Sequence, residues 1–378
     1  MKGFKNMFHR ARMQVPLLLI SCFVLLLIGC EREPIRIGFV GGMSGRVADL
    51  GVGGRNGALL AVEERNAHGG INGRPVELII RDDEQNTETA GKVTRELIQQ
   101  KVEVIIGPMT SSMALAVVPI INKARMVMVS PTVTTTELSG LDDYFLRVLP
   151  DTSTYAPKSA HFHFERSGLR RAAVIYDTGN SSYTVSWLTG FRKAFERLGG
   201  RVVTVNSFKS GESVGFSPIV RDLLRHKPDL VVLVCSAVDA SLLCQQVRKL
   251  DRRVTISVSE WGSTERFIEL GGAAVEGVFF AQFLDHGSMS PRYRNFLTFY
   301  RKRFGQDPGF SGLAGYDAAT VVMDALAARK KGTPLKEAIL AAGAYEGIQR
   351  EIVLNRFGDT ESTTYITMVR GGRFVTIE

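Results

Sequence analysis

Two segments of the chain place several hydroxyl side chains directly after predicted strands. They are "GPMTSSM" and "SPTVTTTEL", with hydroxyls at Thr110, Ser111, Ser112, Thr132, Thr134, Thr135 and Thr136. Such residues ordinarily cap the following helix, but hydroxyl and N–H groups at a helix N-terminus also suit a carboxylate, which the helix dipole favours. For the first segment the sequence leaves both interpretations open. The second segment by itself would be a polar loop, yet two hydroxyl-rich ends of neighbouring strands converge, which favours a binding site.

A glycine-rich stretch at residues 38–57, "GFVGGMSGRVADLGVGGRNG", has the outline of a phosphate-binding loop. A dinucleotide site needs G-x-G-x-x-G directly after a strand and an acidic residue about 20 positions further on. Val40 replaces the first of those glycines, and the next strand-end acids, Asp82 and Asp83, lie about 40 residues downstream. The sequence also lacks G-x-x-x-x-G-K-[ST]. We therefore predict no nucleotide or other cofactor.

Patterns of catalytic and metal-binding residues are missing from the sequence as well. It contains no G-x-S-x-G elbow, no H-E-x-x-H and no EF-hand loop. His161 and His163 are two positions apart on one predicted helix, so they point to different faces and are not expected to share a metal ion. We predict neither an enzyme nor a metal site.

The N-terminal residues predict export. Residues 1–12 carry four basic and no acidic side chains, and residues 15–28 form an apolar run shorter than the roughly 20 residues of a spanning helix. The run leads into "LIGC" at residues 27–30, which resembles the bacterial lipobox, whose cysteine is lipid-modified. We expect residues 1–29 to be a lipoprotein signal peptide. The mature protein would begin at Cys30, anchored by lipid to a bacterial membrane and facing the periplasm or the cell exterior.

The composition of the mature chain limits its partners. Without the four basic residues of the signal it has 43 basic and 38 acidic side chains, a mild excess spread along the chain that does not favour nucleic acid. Its length suffices for two domains with proper cores. Cys235 and Cys244 could form a disulfide in an oxidising compartment. We favour two separately buried thiols, since nine residues across a strand–helix junction need not bring them together.

Strand-like and helix-like segments alternate along almost the whole mature chain. Apolar runs predict strands at Ile35–Val40, Val76–Arg81, Val104–Gly107, Val127–Ser130, Ala172–Tyr176, Val202–Ser207, Leu230–Cys235 and Val254–Val258. Helical patterns lie between them, and three more helices and three short strands follow Phe283. The runs are apolar without alternation, as parallel strands covered on both faces should be. Strand–helix units at this spacing predict doubly wound sheets of the α/β class.

The series of units occurs twice, which predicts two Rossmann-like lobes. The stretch "LDDYFLRVLPDTSTY" between them is interpreted as a crossing rather than a structural unit. We assign residues 34–149 plus 284–342 to the first lobe and residues 150–283 plus 343–378 to the second, with three crossings. Open α/β folds bind ligands at the carboxyl ends of their strands, so the cleft between the lobes is the expected site.

The order and spacing of several segments strengthen this interpretation. They are "IRIGFVGGMSG", "NGALLAVEERNAHGGINGRPVELIIRDDE", "VIIGPMTSSM", "MVSPTVTTTEL", "YFLRVLP", "AAVIYDTGNSSY", "LGGAAVEGVFF" and "AGYDAATVVMDAL". Together they resemble the type I periplasmic binding proteins, specifically the leucine/isoleucine/valine-binding branch that serves ABC transporters. The resemblance covers essentially all of residues 34–378. It implies that the glycines form a close-packed loop at a ligand cleft rather than a phosphate cradle.

The resemblance also implies roles for individual residues. In the family, residues that match Ser111 and Thr134 hold the α-carboxylate of the ligand, with the backbone at Thr132 alongside. An acidic residue at the position of Glu260 commonly takes the ligand amine, although Glu260 by itself would be interpreted as a solvated loop side chain. Tyr183 matches a tyrosine at the rim of the cleft, but it could equally staple the start of its helix.

The side-chain pocket departs from the family pattern. An aromatic residue is common where this chain has Leu50, and a tyrosine where it has Ser236. Trp261 could wall the pocket, although a tryptophan beside a strand end is more often part of a core. We therefore expect a preserved carboxylate end and a rebuilt pocket. A branched-chain amino acid is the favoured ligand, and another amino acid, an aromatic carboxylate or a small amide stays open.

The resemblance implies capture by closure. A ligand that contacts both lobes only when they close favours the closed state. A membrane permease of an ABC transporter would then receive the ligand. The alternatives are an exported ligand sensor, an exported enzyme on the same fold, and an interaction module with a vestigial pocket.

Overall fold

The structure is a computed structural model that describes residues 32–212 and 215–378. Its first sheet consists of five parallel strands in the order β2-β1-β3-β4-β5. The strands are β1 (Ile35–Gly41), β2 (Val76–Asp82), β3 (Val104–Ile106), β4 (Met128–Ser130) and β5 (Phe145–Arg147). Val104 and Ile106 belong to one buried cluster and Ile105 to another. Both faces of the sheet are therefore covered, which explains why the strand sequences do not alternate.

The second sheet has seven strands in the order β14-β13-β10-β9-β8-β6-β7. They are β6 (Arg171–Asp177), β7 (Arg201–Phe208), β8 (Leu230–Val234), β9 (Thr255–Val258), β10 (Phe279–Gln282), β13 (Tyr365–Val369) and β14 (Phe374–Thr376). The five strands β6 to β10 are parallel, whereas β13 pairs antiparallel with β10 and β14 pairs antiparallel with β13 at the edge of the sheet. A separate two-stranded sheet joins β11 (Ala344–Glu346) to β12 (Glu351–Val353).

Eleven α-helices occur in the described ranges. They are α1 (Ala48–Ala67), α2 (Thr87–Gln99), α3 (Ser111–Ala124), α4 (Thr152–His161), α5 (Ser181–Arg197), α6 (Phe216–Arg225), α7 (Ala237–Leu250), α8 (Glu265–Gly271), α9 (Pro291–Phe304), α10 (Gly309–Ala328) and α11 (Leu335–Ala342). The eight strands predicted before Phe283 are all present, and the prediction of an α/β fold with two doubly wound lobes is confirmed.

Besides β11 of the two-stranded sheet, two strands of the larger sheets were missed by the sequence analysis. The stretch interpreted as a crossing contains β5 and the start of α4, so that interpretation is wrong for these residues. Residues 279–282, which form β10, were not assigned to a strand either. Both strands are only three or four residues long. Pairing with β4 and β9 defines them, and that pairing is not visible in so short an apolar run.

The glycines of the predicted loop serve helix packing. A Cβ atom on Gly57 would lie 1.9 Å from the carbonyl oxygen of Gly312, and one on Gly315 would lie 2.1 Å from that of Gly54. The backbones of α1 and α10 therefore approach too closely for any side chain at these positions. This contact requires glycine at positions 57 and 315.

The last part of the chain returns to the first lobe before it joins the second sheet. The backbone N–H of Arg147 on β5 donates to Gly358 at 3.0 Å, and the N–H of Ile348 donates to Asp317 on α10 at 2.9 Å. These bonds attach residues 348 and 358 to elements assigned to the first lobe. The lobe boundaries stay predictions.

Two further predictions concern cysteines and membranes. Cys235 and Cys244 are free and buried, as predicted. A search of the described residues finds no helix with the length and apolar character needed to cross a bilayer. The predicted signal peptide and the lipidation of Cys30 lie outside the described residues.

Candidate ligand-binding cleft

The two hydroxyl-rich segments lie side by side because their strands are neighbours. The first segment leaves β3 and begins α3, and the second leaves β4, which pairs with β3 in parallel. The hydroxyl of Ser111 accepts a hydrogen bond from the backbone N–H of Thr135 at 3.3 Å. The hydroxyl of Thr132 donates to the carbonyl oxygen of Met109 at 2.6 Å. The expected convergence of the two strand ends is therefore present in the structure.

The N-terminus of α3 is not capped by its own preceding side chain. Thr110 is the residue before the helix, but its hydroxyl donates to Gln85 at 3.1 Å and makes no capping bond. The N–H of Ser112 instead donates to the side-chain oxygen of Asn180, which precedes α5, at 3.0 Å. The first turn of α3 thus faces the second lobe, where its dipole favours a negative group.

Glu260 lies opposite this helix end, in a short turn that follows β9. It is buried, and one carboxylate oxygen, Oε2, accepts a hydrogen bond from Nε1 of Trp187 at 2.9 Å. The other oxygen, Oε1, is buried without a hydrogen-bond partner in the described part of the chain. Burial raises the pKa of Glu260 to about 7. A buried carboxylate oxygen without a hydrogen-bond partner is costly in free energy.

Two aromatic side chains enclose the space beside Glu260. The rings of Tyr183 and Trp261 meet edge to face, with centroids 5.7 Å apart. The hydroxyl groups of Tyr183 and Ser259 are buried and, within the described ranges, have no hydrogen-bond partner. Burial raises the pKa of Tyr183 well above its ordinary value, so the phenol stays neutral. Burial dominates the pKa of Glu260, and the nearby phenol of Tyr183 partly offsets it by favouring the carboxylate.

These residues surround one small cavity between the lobes. Its lining residues are Leu50, Met109, Thr110, Ser111, Thr132, Thr134, Leu149, Asn180, Tyr183, Glu260, Trp261 and Phe310. The structure therefore brings together all five predicted ligand-binding residues, together with two of the three predicted pocket-wall residues.

Ser236 is the predicted residue that does not line this cavity. It precedes α7 and caps it, because its hydroxyl accepts a bond from the N–H of Asp239 at 3.4 Å and donates to the carboxylate of Asp239 at 3.0 Å. Its placement gives no support to a pocket-wall role.

Sequence analysis did not assign four residues that line the cavity, namely Met109, Leu149, Asn180 and Phe310. Met109 and Asn180 lie inside segments that the sequence analysis had singled out, next to Thr110 and close to Tyr183. Leu149 follows β5 and Phe310 begins α10, and both are ordinary apolar residues with no pattern of their own. Only the packing of distant segments assigns them to the cavity.

Polar contacts join the two lobes around the cavity. The guanidinium of Arg46 pairs with the buried carboxylate of Asp239, with Nη2 2.6 Å from Oδ1. The hydroxyl of Thr264 donates to Asp49 at 2.6 Å. These two pairs and the Ser112–Asn180 bond therefore connect the lobes.

Comparison with known proteins bears directly on this arrangement. The family model described as "Periplasmic binding protein" matches residues 34–373. This chain is a member of the periplasmic binding protein family. Membership confirms the resemblance and implies an exported protein that faces the periplasm. The family comprises substrate-binding proteins of transporters rather than enzymes.

Individual relatives of this periplasmic binding protein place it near amino-acid binders. The Leu/Ile/Val-binding protein BraC3 of Rhizobium johnstonii is 28% identical over 253 residues, which are 66% of this chain and 68% of that protein. The branched-chain amino acid binding protein LivJ of Streptococcus pneumoniae, solved with isoleucine, has a TM-score of 0.84 and 24% identity over 91% of this chain and 99% of that one.

A third neighbour carries a different ligand. The solute-binding protein RPA0668 of R. palustris, solved in complex with benzoate, has a TM-score of 0.83 and 19% identity over 91% of this chain and 96% of that one. At these identities both structural matches show the fold alone. The fold accordingly accommodates an amino acid in one neighbour and an aromatic carboxylate in another.

Proposed function

We propose that this periplasmic binding protein captures an α-amino acid with an apolar side chain and delivers it to an ABC transporter permease. The ligand carboxylate would lie at the first turn of α3, with the hydroxyls of Ser111 and Thr134 and the backbone at Thr132. Its ammonium would lie against Oε1 of Glu260, and Tyr183 would close the rim. Leu50 and Trp261 would contact the side chain, with Met109 and Phe310.

The distribution of charge around the cavity carries this proposal. Among the described residues that line the cavity, Glu260 is the one with a carboxylate or basic side chain. The phenol of Tyr183, which also lines the cavity, stays neutral. The N-terminus of α3, with Thr110 and Ser111, lines the same cavity from the other lobe. A zwitterion places its ammonium on the carboxylate and its own carboxylate at the helix end, and both ends gain charge-assisted hydrogen bonds. A lone carboxylate such as benzoate would satisfy only one of the two ends.

Delivery to a membrane follows from the proposed lipid anchor. Lipid on Cys30 would keep the protein beside the permease, and the full lipoprotein modification matters because one acyl chain anchors only marginally. The ligand would stabilise the closed form, in which the lobes are in contact, because it touches both lobes. The permease would recognise this closed form.

Thermal melting of residues 31–378 against single amino acids, aromatic acids and small amides tests the ligand class. A ligand that binds only the folded protein raises the melting temperature once its concentration passes the Kd. We expect apolar α-amino acids to do so. Ser111→Ala and Glu260→Gln should each remove the shift while the ligand-free protein stays folded. Thr94→Val, at a buried hydroxyl of α2 outside the cavity, serves as the control and should keep the shift.

Other outcomes would redirect the proposal. If acids without an amine raise the melting temperature and amino acids do not, Glu260 is not an ammonium partner. Binding without any effect of permease deletion on uptake would favour an exported sensor. If no small molecule binds, the proposed function is wrong.

A further inference from the structure

Helix α5 carries Trp187, whose indole N–H is its only polar side-chain group and is hydrogen-bonded to Glu260. Trp187 is fully buried, and its indole N–H donates to Oε2 of Glu260 at 2.9 Å. An indole nitrogen can donate but cannot accept a hydrogen bond. Oε2 therefore receives a hydrogen bond from the protein, whereas Oε1 has no hydrogen-bond partner among the described residues.

The position of this indole is set by aromatic stacking along α5. Its ring stacks on Phe191 at 5.4 Å and 12°, and Phe191 stacks on Phe195 at 5.2 Å and 16°. All three rings are buried within the second lobe. Stacked, fully buried rings have little freedom to rotate, so the N–H presents a fixed direction to Glu260.

The same helix also contacts the first lobe at its N-terminal end. Asn180 accepts from the N–H of Ser112 at 3.0 Å, and the hydroxyl of Ser186 lies 3.0 Å from that of Thr136. Tyr183, one turn before Trp187, lines the cavity. Helix α5 therefore joins the contacts between the lobes to the carboxylate that faces the ligand.

We propose that Trp187 is a positioning residue. It orients Glu260 so that one carboxylate oxygen meets the ligand ammonium, and it couples this orientation to the contacts of α5 with the first lobe. The inference rests on the proposed function, because it takes the ammonium of an amino acid as the partner of Oε1. Trp187 itself does not line the cavity, so its effect on binding passes through Glu260.

The titratable groups around this carboxylate are few in the described ranges. They are the phenols of Tyr155 on α4 and Tyr183 on α5, and burial raises the pKa of both well above the ordinary value. Arg147 and Arg350 act on Tyr155 rather than directly on Glu260. Between pH 5.5 and 8.5 a titration of this cluster therefore reports Glu260.

Trp187→Phe tests the proposal because it keeps an aromatic ring and removes the N–H. The donor favours the carboxylate over the acid, so its loss raises the pKa of Glu260 and moves the pH midpoint of amino-acid binding upward. We expect about tenfold weaker binding at pH 7, measured by calorimetry. Phe267→Leu, the matched control, removes a fully buried ring that packs edge to face on Phe280 in a different core cluster from Trp187. It should lower the melting temperature without moving the pH midpoint.

A second measurement uses the unaltered protein. The chain has two tryptophans, so it gives two indole N–H resonances, and Trp261→Phe assigns them. The resonance of Trp187 should move with pH at the same midpoint as binding, and should move again when the amino acid is added. Two results would overturn the positioning role, provided that the unaltered protein binds amino acids. In the first, Trp187→Phe leaves both the affinity and the pH midpoint of binding unchanged. In the second, the indole resonance of Trp187 does not follow pH. An unaltered protein that binds no amino acid overturns the proposed function instead.

Discussion

Glu260 makes the proposed binding dependent on pH. Burial raises its pKa to about 7, so the carboxyl group of the unliganded cleft is protonated below that pH and ionised above it. An ammonium group needs the ionised form. A bound zwitterion therefore lowers the pKa of Glu260, and binding near neutral pH releases a proton.

The direction in which the affinity changes with pH follows from this release of a proton. We expect the affinity for an amino acid to be highest above pH 7 and to weaken about tenfold between pH 7 and pH 5.5, as Glu260 becomes protonated. Calorimetry in buffers of different ionisation enthalpy measures both the Kd and the protons released. Ligand binding by Glu260→Asp should keep a pH dependence, whereas any residual binding by Glu260→Gln should lose it. An affinity that is flat from pH 5.5 to 8.5 would contradict the assignment of the ammonium to Glu260.

At the scale of elements, the close contact between the backbones of α1 and α10 allows a test of packing in the first lobe. Gly57 lies in the interior of α1, and a Cβ atom there would meet the backbone of α10. The two helices cannot separate locally because buried residues of both belong to one core cluster, among them Ala58, Ala61 and Ala318.

We expect Gly57→Ala to lower the free energy of unfolding by about 1–3 kcal/mol, the usual cost of overpacking. Chemical denaturation of the ligand-free protein measures it. Gly91→Ala on α2 is the matched control, since its Cβ would meet only side-chain atoms of Arg95 and Ile120 at 3.4 Å. Better helix propensity should make Gly91→Ala neutral or stabilising by about 1 kcal/mol. If both variants lose the same free energy of unfolding, contact with the backbone of α10 is not the reason for glycine at position 57.

For the whole molecule, contact between the lobes depends on a few polar pairs outside the cavity. The carboxylate of Asp239 is buried and bonded to Ser210 at 2.6 Å as well as to Arg46. Arg46 belongs to the first lobe and Asp239 to the second, so the pair exists only when the lobes meet. Its loss should weaken binding of every ligand by the same factor, because the change affects closure rather than recognition.

Arg46→Gln should weaken amino-acid binding about three- to tenfold and leave the order of preference among amino acids unchanged; the modest size reflects the partial exposure of Arg46. Calorimetry gives the affinities, and small-angle scattering at saturating ligand gives the radius of gyration. Arg36→Gln is the control, because Arg36 pairs with Glu77 within the first lobe and both side chains are half-exposed. A changed preference among ligands in Arg46→Gln would show that Arg46 acts on the pocket rather than on closure.

The sequence alone determined the fold class and the polar end of the site. Apolar strands without alternation specify a sheet covered on both faces, and loops after such strands must lie at one edge of it, so the hydroxyls after β3 and β4 had to converge. Family resemblance added Glu260, which its local sequence would have assigned to solvent.

The tertiary structure alone decided which side chains share the cavity and which oxygen of Glu260 is free. Leu149 and Phe310 are distant in sequence and carry no distinctive pattern, while Ser236 turned out to cap α7. Trp187 reaches Glu260 across 73 positions of the chain. Contacts of this kind arise from the packing of helices on sheets, and their geometry is not encoded in any local spacing of residues.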